Sequence, residues 1–353
     1  MDRGAQTALA QTALNVSGII LVMLGVLACA RPGPPHAPPT IKIGLVAPFE
    51  GLHRPLGYEA LFGVKLALQE RNQGQGLRGY RVELVALNDF DDPAAARQQA
   101  QAVIVDPDIL GVVGHLSSAT TLAAAPIYQQ ADLALSIPWP VSFFPQKIEE
   151  KGRVSVAASA AETANVLARV ARLRGVGAME RLTTPDVSGL PSSTQALELD
   201  TEGVLAGEIL LALKAAHWSM PVYGQVDAGS PQLVQVAQAA ANGLIFVSPA
   251  PAPQDVGAAT FVDAYQTLAG FPPGPRAVLA YDATHVLLDA IEQAIINHDR
   301  LPSRAEVSAI IGSIKREGLS GELAFDQQGR REDAPVWVYQ ISNQEYPGTL
   351  IAP

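Results

Sequence analysis

Asp89, Asp91 and Asp92 form the one compact carboxylate group of the chain. Three acids on one loop could hold calcium. A calcium loop also needs further oxygen donors at regular spacing and a glycine turn, and these are absent. The alternative is a strand-to-helix turn in which Asp92 is the N-cap and Pro93 the first helical residue, where a missing N–H is no loss. The six histidines, His36, His53, His115, His217, His285 and His298, are scattered, with no i, i+4 pair to share a metal. No Walker loop, GxGxxG, HExxH or GxSxG occurs, so catalysis has no motif to support it and neither an enzyme nor a cofactor is expected.

Residues 111–121 (GVVGHLSSATT) are different in kind. They take a buried strand through Gly114 into small hydroxyl residues that open a helix. A helix N-terminus offers unpaired N–H groups and partial positive charge, so Ser117, Ser118 and Thr120 could hold a carboxylate or another small anion. The crevice at strand ends is also where open α/β sheets bind ligands. The competing reading is a serine that only caps its helix, and on this segment alone the two stand even.

The elements that would position these groups alternate from residue 41 onward. Short apolar runs at 41–47, 81–87, 109–114 and 133–137 read as strands of a buried, largely parallel sheet. Between them lie helices at 59–71, from Pro93 and from about Ser118. The first puts Leu61, Val64 and Leu68 on one face and turns Glu59, Glu70 and Arg71 away from it. The second half repeats the style less regularly. A helix spans 161–173, residues 174–193 carry no periodicity, and strands follow at 195–199, 221–225 and 244–248, with helices at 203–215 and after Pro231. A helix at 277–296 buries Leu279, Ala283, Val286, Leu287, Ala290 and Ala294. Another starts at Ser303, which with Glu306 makes a capping box. Two final strands are expected at 322–325 and 336–341.

Six stretches carry a family resemblance: IKIGLVAPFEG (41–51), LGYEALFGVKLALQERN (56–72), DFDDPAAARQQAQAVI (89–104), GVVGHLSSATTLAAAPIYQQADLALSIP (111–138), PPGPRAVLAYDATHVLLDAI (272–291) and GLSGELAFDQQGRREDAPVWVYQI (318–341). Together they resemble the substrate-binding proteins of branched-chain amino-acid ABC importers, of the type I periplasmic-binding-protein fold. The resemblance implies two α/β lobes with mostly parallel sheets, joined by a three-crossover hinge, with a small ligand between them. Lobe 1 would comprise 41–157 and 261–319, and lobe 2 would comprise 158–260 and 320–353. Where the family has a strand, a helix, a strand and a helix between residues 173 and 195, this chain has about twenty irregular residues, so a reduced lobe 2 is expected.

Carried over by position, Ser118 falls on the serine that in the family holds the ligand carboxylate. The next contact loop falls on Trp139, Pro140, Val141 and Ser142. Trp139 there brings a ring either to stack on a ligand or to pack against the hinge. A family tyrosine contact falls on Glu202, and an acid that binds the ligand amine falls near Val226 or Asp227. Both acids could instead lie in solvated loops. His53 and Arg54 fall in the loop that lines the cleft mouth. The resemblance implies an amino acid or related carboxylate as ligand, ABC permease subunits as partners, a monomer, and hinge closure as the mechanism. A ligand-sensing or interaction protein that kept the fold and lost transport is the alternative.

The N-terminus adds an address. Residues 18–28 (GIILVMLGVLA) are continuously apolar and too short to span a hydrocarbon core of roughly 30 Å, which fits a signal peptide over 1–28. Val26, Leu27, Ala28 and Cys29 resemble the lipobox of bacterial lipoproteins, and Cys29 would carry the lipid. An uncleaved anchor or a buried cysteine are the alternatives. A Pro-rich tether over 29–40 would follow, leaving the protein outside the cytoplasm on the outer face of the membrane. The rest of the composition agrees with an ordered binder. The 353 residues carry a net charge of −10, which argues against nucleic acid. With 48% hydrophobic and 16% charged residues the chain can build sizeable cores. A single cysteine excludes an internal disulfide and a cysteine metal cluster.

Overall fold

The computed structural model describes residues 38–142 and 151–352. The expected signal peptide, Cys29 as the expected lipid attachment point and the first part of the expected tether lie outside the described residues. Strand β1 (Thr40–Ala47) is an almost unbroken apolar run, and it sits inside a sheet where both faces are covered. It pairs in parallel with β2 (Arg81–Asn88) and β3 (Ile109–Gly114), and β4 (Ala134–Ile137) and β5 (Arg153–Ser155) extend the sheet in the order β2-β1-β3-β4-β5. The order reverses between β1 and β3, so the loops leaving these two strands diverge and open a crevice at their carboxyl ends.

Helices α1 (Arg54–Arg71), α2 (Pro93–Val105) and α3 (Ser118–Gln130) connect the strands. The expected capping is present: the Asp92 carboxylate accepts from the backbone N–H groups of Ala94 and Ala95, and Pro93 opens α2. The second sheet runs β13-β12-β9-β8-β7-β6. Its strands β6 (Glu180–Leu182), β7 (Leu197–Leu199), β8 (Val222–Gly224) and β9 (Ile245–Ser248) are parallel, and β12 (Trp337–Ser342) and β13 (Glu345–Ala352) are antiparallel. Helices α4 (Ala160–Leu173), α5 (Gly203–Ala215) and α6 (Pro231–Ala237) belong to this half, and α7 (Ala259–Ala269) leads back. Helix α8 (Pro275–His298) packs on α1, β3 and β4, and its six expected stripe residues are all buried. Gly63 permits the close crossing of α1 and α8, because a Cβ there would collide with the Ala277 backbone. Helix α9 (Arg304–Ile310) begins with the capping box of Ser303 and Glu306. Strands β10 (Arg316–Gly318) and β11 (Gly321–Leu323) form a separate antiparallel pair.

The chain thus passes between the two sheets three times, after β5, after β9 and before β12. Buried Arg331 joins two of these passages by donating to the carbonyls of Val156, Ser320 and Glu322 and to the Ser320 hydroxyl. The Asp282 carboxylate accepts from the backbone N–H groups of Leu319 and Ser320 and from the Ser320 hydroxyl. Burial pushes this carboxyl above its usual range, against the opposing pull of those hydrogen bonds and of Arg331.

Four expectations need correction. Helix α1 starts at Arg54 rather than Glu59, with Pro55 in its first turn. Glu59 is not turned to solvent: its carboxylate accepts from the backbone N–H groups of Arg276 and Ala277 and so caps α8 from outside. Helical periodicity shows which face is polar but not that a second helix terminus lies against it. Residues 174–193 contain an element after all, β6, whose three residues are too few to show an alternating pattern. Strand β13 was not expected either, because Pro347 and Gly348 mask it. A two-residue turn with Asn343 and Gln344 both at positive φ joins it to β12.

Candidate functional site

Loops from the carboxyl ends of both sheets enclose a cavity of about 170 Å³. The first side supplies His53 after β1, Asp91 after β2, and Leu116 and Ser117 after β3. The second supplies Asp200, Thr201 and Glu202 after β7, and Asp227 and Ser230 after β8, while Arg276 comes from the first turn of α8.

His53 stands between two acids of opposite sides. Its Nε2 lies 3.7 Å from Asp91 Oδ2 and its Nδ1 3.5 Å from Glu202 Oε2. Burial raises the Asp91 carboxyl above the usual carboxylate range, and the charges of Asp89 and Asp227 add to this. A hydrogen bond from the Ser117 hydroxyl and the nearby His53 oppose it. Glu202 occupies the N-cap position of α5 but makes no capping hydrogen bond, so its carboxylate is free for the cavity.

Asp227 is engaged differently. Its Oδ1 accepts from Trp139 Nε1 at 3.0 Å and from Arg276 Nη2 at 3.2 Å. The guanidinium carbon of Arg276 lies 3.7 Å from the centre of the Trp139 ring, within reach of a cation–π attraction. A residue following β8 therefore meets one following β4 and one opening α8, and the three tie the two sides together. Trp139 is only 3% exposed, packed in a core cluster that takes in residues of both sides, and it is not among the residues lining the cavity.

The α3 N-terminus is satisfied largely from within. Ser117 caps the helix by accepting from Thr120 N, and its hydroxyl lies 2.8 Å from Thr120 Oγ1. The Ser118 hydroxyl donates to the Pro140 carbonyl and accepts from Ser142 N at 2.7 Å, binding residues 140–142 to the first turn. Of the nine ligand-contact candidates read from the sequence, His53, Ser117, Glu202 and Asp227 line the cavity. Ser118, Thr120, Trp139 and Ser142 are not among its lining residues, and Arg54 opens α1, stacked on Tyr58 at 4.9 Å.

Two groups escaped the sequence reading. Arg276 was hidden in a proline-rich helix start, where a cation opposes the helix dipole and signals nothing by itself. Buried His115 places Nδ1 2.6 Å from Asp89 Oδ2 and Nε2 3.1 Å from the Tyr128 hydroxyl. This trio fixes the loops after β2 and β3, one of which carries Asp91 and the other Ser117. Asp89 and His115 stand directly after strands and Tyr128 lies within α3, and nothing in the spacing of 89, 115 and 128 links them. Among the described residues no group of His, Cys, Asp and Glu could hold a metal, and no helix is long and apolar enough to cross a membrane.

The "Periplasmic binding protein" family matches residues 40–197 and 203–345. A Pseudomonas aeruginosa protein named "Leucine-, isoleucine-, valine-, threonine-, and alanine-binding protein" is 23% identical over 345 residues, covering 85% of this chain and 90% of the relative. Among solved structures, the branched-chain amino acid transporter substrate binding protein of Streptococcus pneumoniae in complex with isoleucine shares 20% identity. It superposes with a TM-score of 0.72, covering 89% of this chain and 98% of that one. A solute binding protein of an ABC transporter from Rhodopseudomonas palustris, in complex with 3,4-dihydroxy benzoic acid, gives a TM-score of 0.73 at 18% identity over 88% and 95%. These solved structures share the fold of the chain, the family model spans most of its length, and the chain belongs to the periplasmic-binding-protein family.

Proposed function

We propose that the protein is an extracytoplasmic solute-binding protein that presents a small ligand, an amino acid or related compound, to the permease of an ABC importer. The observation that carries this reading is the cavity built by loop ends of both sheets. A ligand seated there touches both sides at once, and contacts made only in the closed form shift the population toward it. Residues 41–157 with 261–319, and 158–260 with 320–353, would be the two moving lobes. We read Cys29 as the lipid attachment point that keeps the protein at the membrane, as a monomer. No bond is made or broken in this cycle. Isothermal titration against amino acids and small carboxylates, paired with small-angle scattering, tests it: the expected outcome is saturable heat with a smaller radius of gyration. Flat thermograms from folded protein would overturn it.

A second reading is a sensor of the same fold that no longer serves transport. The contact of Asp227 with Trp139 and Arg276 favours it, since it joins the two sides by the protein's own groups. Uptake measured with a candidate ABC permease reconstituted in vesicles separates the two, because a sensor would support none.

A further inference from the structure

Two donors of the first side converge on one oxygen of the second. Asp227 Oδ1, in the loop after β8, accepts from Trp139 Nε1 at 3.0 Å and from Arg276 Nη2 at 3.2 Å. The donors are the buried partners: Trp139 is 3% and Arg276 5% exposed, while the Asp227 side chain is 58% exposed. Stacking fixes the guanidinium, whose carbon lies 3.7 Å from the centre of the Trp139 ring. Its Nε is shut off from solvent and donates to nothing. Glu59, the other acid beside Arg276, takes the backbone N–H groups of Arg276 and Ala277 instead of the guanidinium. A cation held this deep needs an acid partner, and Asp227 is the only acid hydrogen-bonded to it among the described residues. The hydroxyls that open α3 are meanwhile committed, Ser118 to residues 140–142 and Ser117 to Thr120.

Building on the solute-binding reading, we infer that Asp227 is an internal stand-in for the ligand: its carboxylate fills a carboxylate site made by Arg276 and Trp139, and a small organic acid binds by displacing it. When the cleft opens, Asp227 leaves with the loop after β8, and Arg276 and Trp139 stay on the first side as an oriented pair of donors for one carboxylate. An acid this exposed is readily given up, because solvent screens its ion pair and hydrates it on release. The exchange replaces one carboxylate by another, so the charge around Arg276 is unchanged. Asp91 and Glu202, which lie against His53, oppose both acids alike. An engineered cavity of about 150 Å³ admits benzene, so the cavity of about 170 Å³ suits a compact acid whose carbon chain lies on Leu52, Leu56, Leu116 and Val204. The site is vacant only in the fraction of molecules in which Asp227 has let go, and the affinity for an entering acid is reduced by that fraction. Removing Asp227 therefore tightens binding, whereas removing an acid that grips a ligand's amine would weaken it.

The test is calorimetric titration of the purified full chain and of Asp227→Ala with 4-methylpentanoate, its uncharged amide 4-methylpentanamide, and leucine. Asp227→Ala is expected to bind 4-methylpentanoate roughly tenfold or more tightly than the native chain does. Asp227→Asn, which keeps the shape and loses the charge, should act in the same direction. The amide should bind Asp227→Ala about tenfold more weakly than the acid, or less. Added to Asp227→Ala, Trp139→Phe keeps the ring and removes the donor, and should weaken the acid by roughly fivefold or more. Thermal unfolding of each variant confirms that it is folded. Binding of 4-methylpentanoate to Asp227→Ala no tighter than to the native chain, weaker leucine binding on that change, equal binding of acid and amide, or no effect of Trp139→Phe overturns the inference and leaves the solute-binding reading standing. Absence of heat from all three ligands with the native chain and Asp227→Ala overturns both.

Discussion

The two sides of the cleft are built to different degrees of rigidity. On the first, the loops after β2, β3 and β4 are cross-tied: His115 joins Asp89 to Tyr128, Ser117 bonds inside its own helix, and Ser118 clamps residues 140–142. On the second, Glu202 leaves its N-cap position unfilled, and Asp227, with a side chain 58% exposed, reaches across to its partners. The strands match this difference. Strand β1 pairs over eight residues with β2, while β6, β7 and β8 are three residues long. A rigid half can position groups to within a fraction of an ångström. A lighter half, whose Glu202 makes no capping bond, can respond to what arrives, and low-stability elements are where ligand-linked motion concentrates.

The largest test of this contrast lies in the core. Leu287→Ala, under the five-stranded sheet, is expected to cost about 2–5 kcal/mol in urea unfolding, with Leu199→Ala in the second sheet nearer the low end. Equal losses would erase the distinction. Next, Asp227→Ala frees Arg276 and Trp139 and should cost about 1 kcal/mol, discounted for the exposure of the carboxylate. The same change should enlarge the radius of gyration of the unliganded protein, and an unchanged radius would show that the contact does not hold the sides together. Ser159 and Glu162 form a capping box on α4, and Ser159→Ala should cost about 1 kcal/mol by chemical denaturation. Smallest is an acid-side effect at α9. Arg300 and the Ser303 backbone hold Glu306 down to about 2, below its unfolded value of about 4.3. Its contribution is therefore fully present above about pH 4.3 and is lost as pH falls through about 2. Glu306→Gln should flatten the stability curve across that window, and a curve of unchanged slope would show that Arg300 does not hold it there.

How far the molecule was legible beforehand depends on the range over which each signal acts. The helix starts at Pro93 and Ser303 were readable because a cap and its helix are neighbours in the chain. The buried stripe of α8 was readable because its period of 3.6 residues repeats many times. Glu59 was misplaced because its partners, Arg276 and Ala277, lie more than two hundred residues away. Strand β6 was missed because three residues carry no period. Within the site, His53, Glu202 and Asp227 could be named by position in a family pattern, but not their pairing.

The amino-acid sequence by itself determined the alternation of strands and helices, the local caps, the acidic balance and the family, because these rest on patterns short in range or spread over the whole chain. Only the tertiary structure decided which hydroxyls face the cavity, that Trp139 binds Asp227 instead of lining the cleft, and that Asp91 and Glu202 stand on either side of His53. Those outcomes depend on which loops from two different sheets come within hydrogen-bonding distance, and no spacing along the chain encodes that directly.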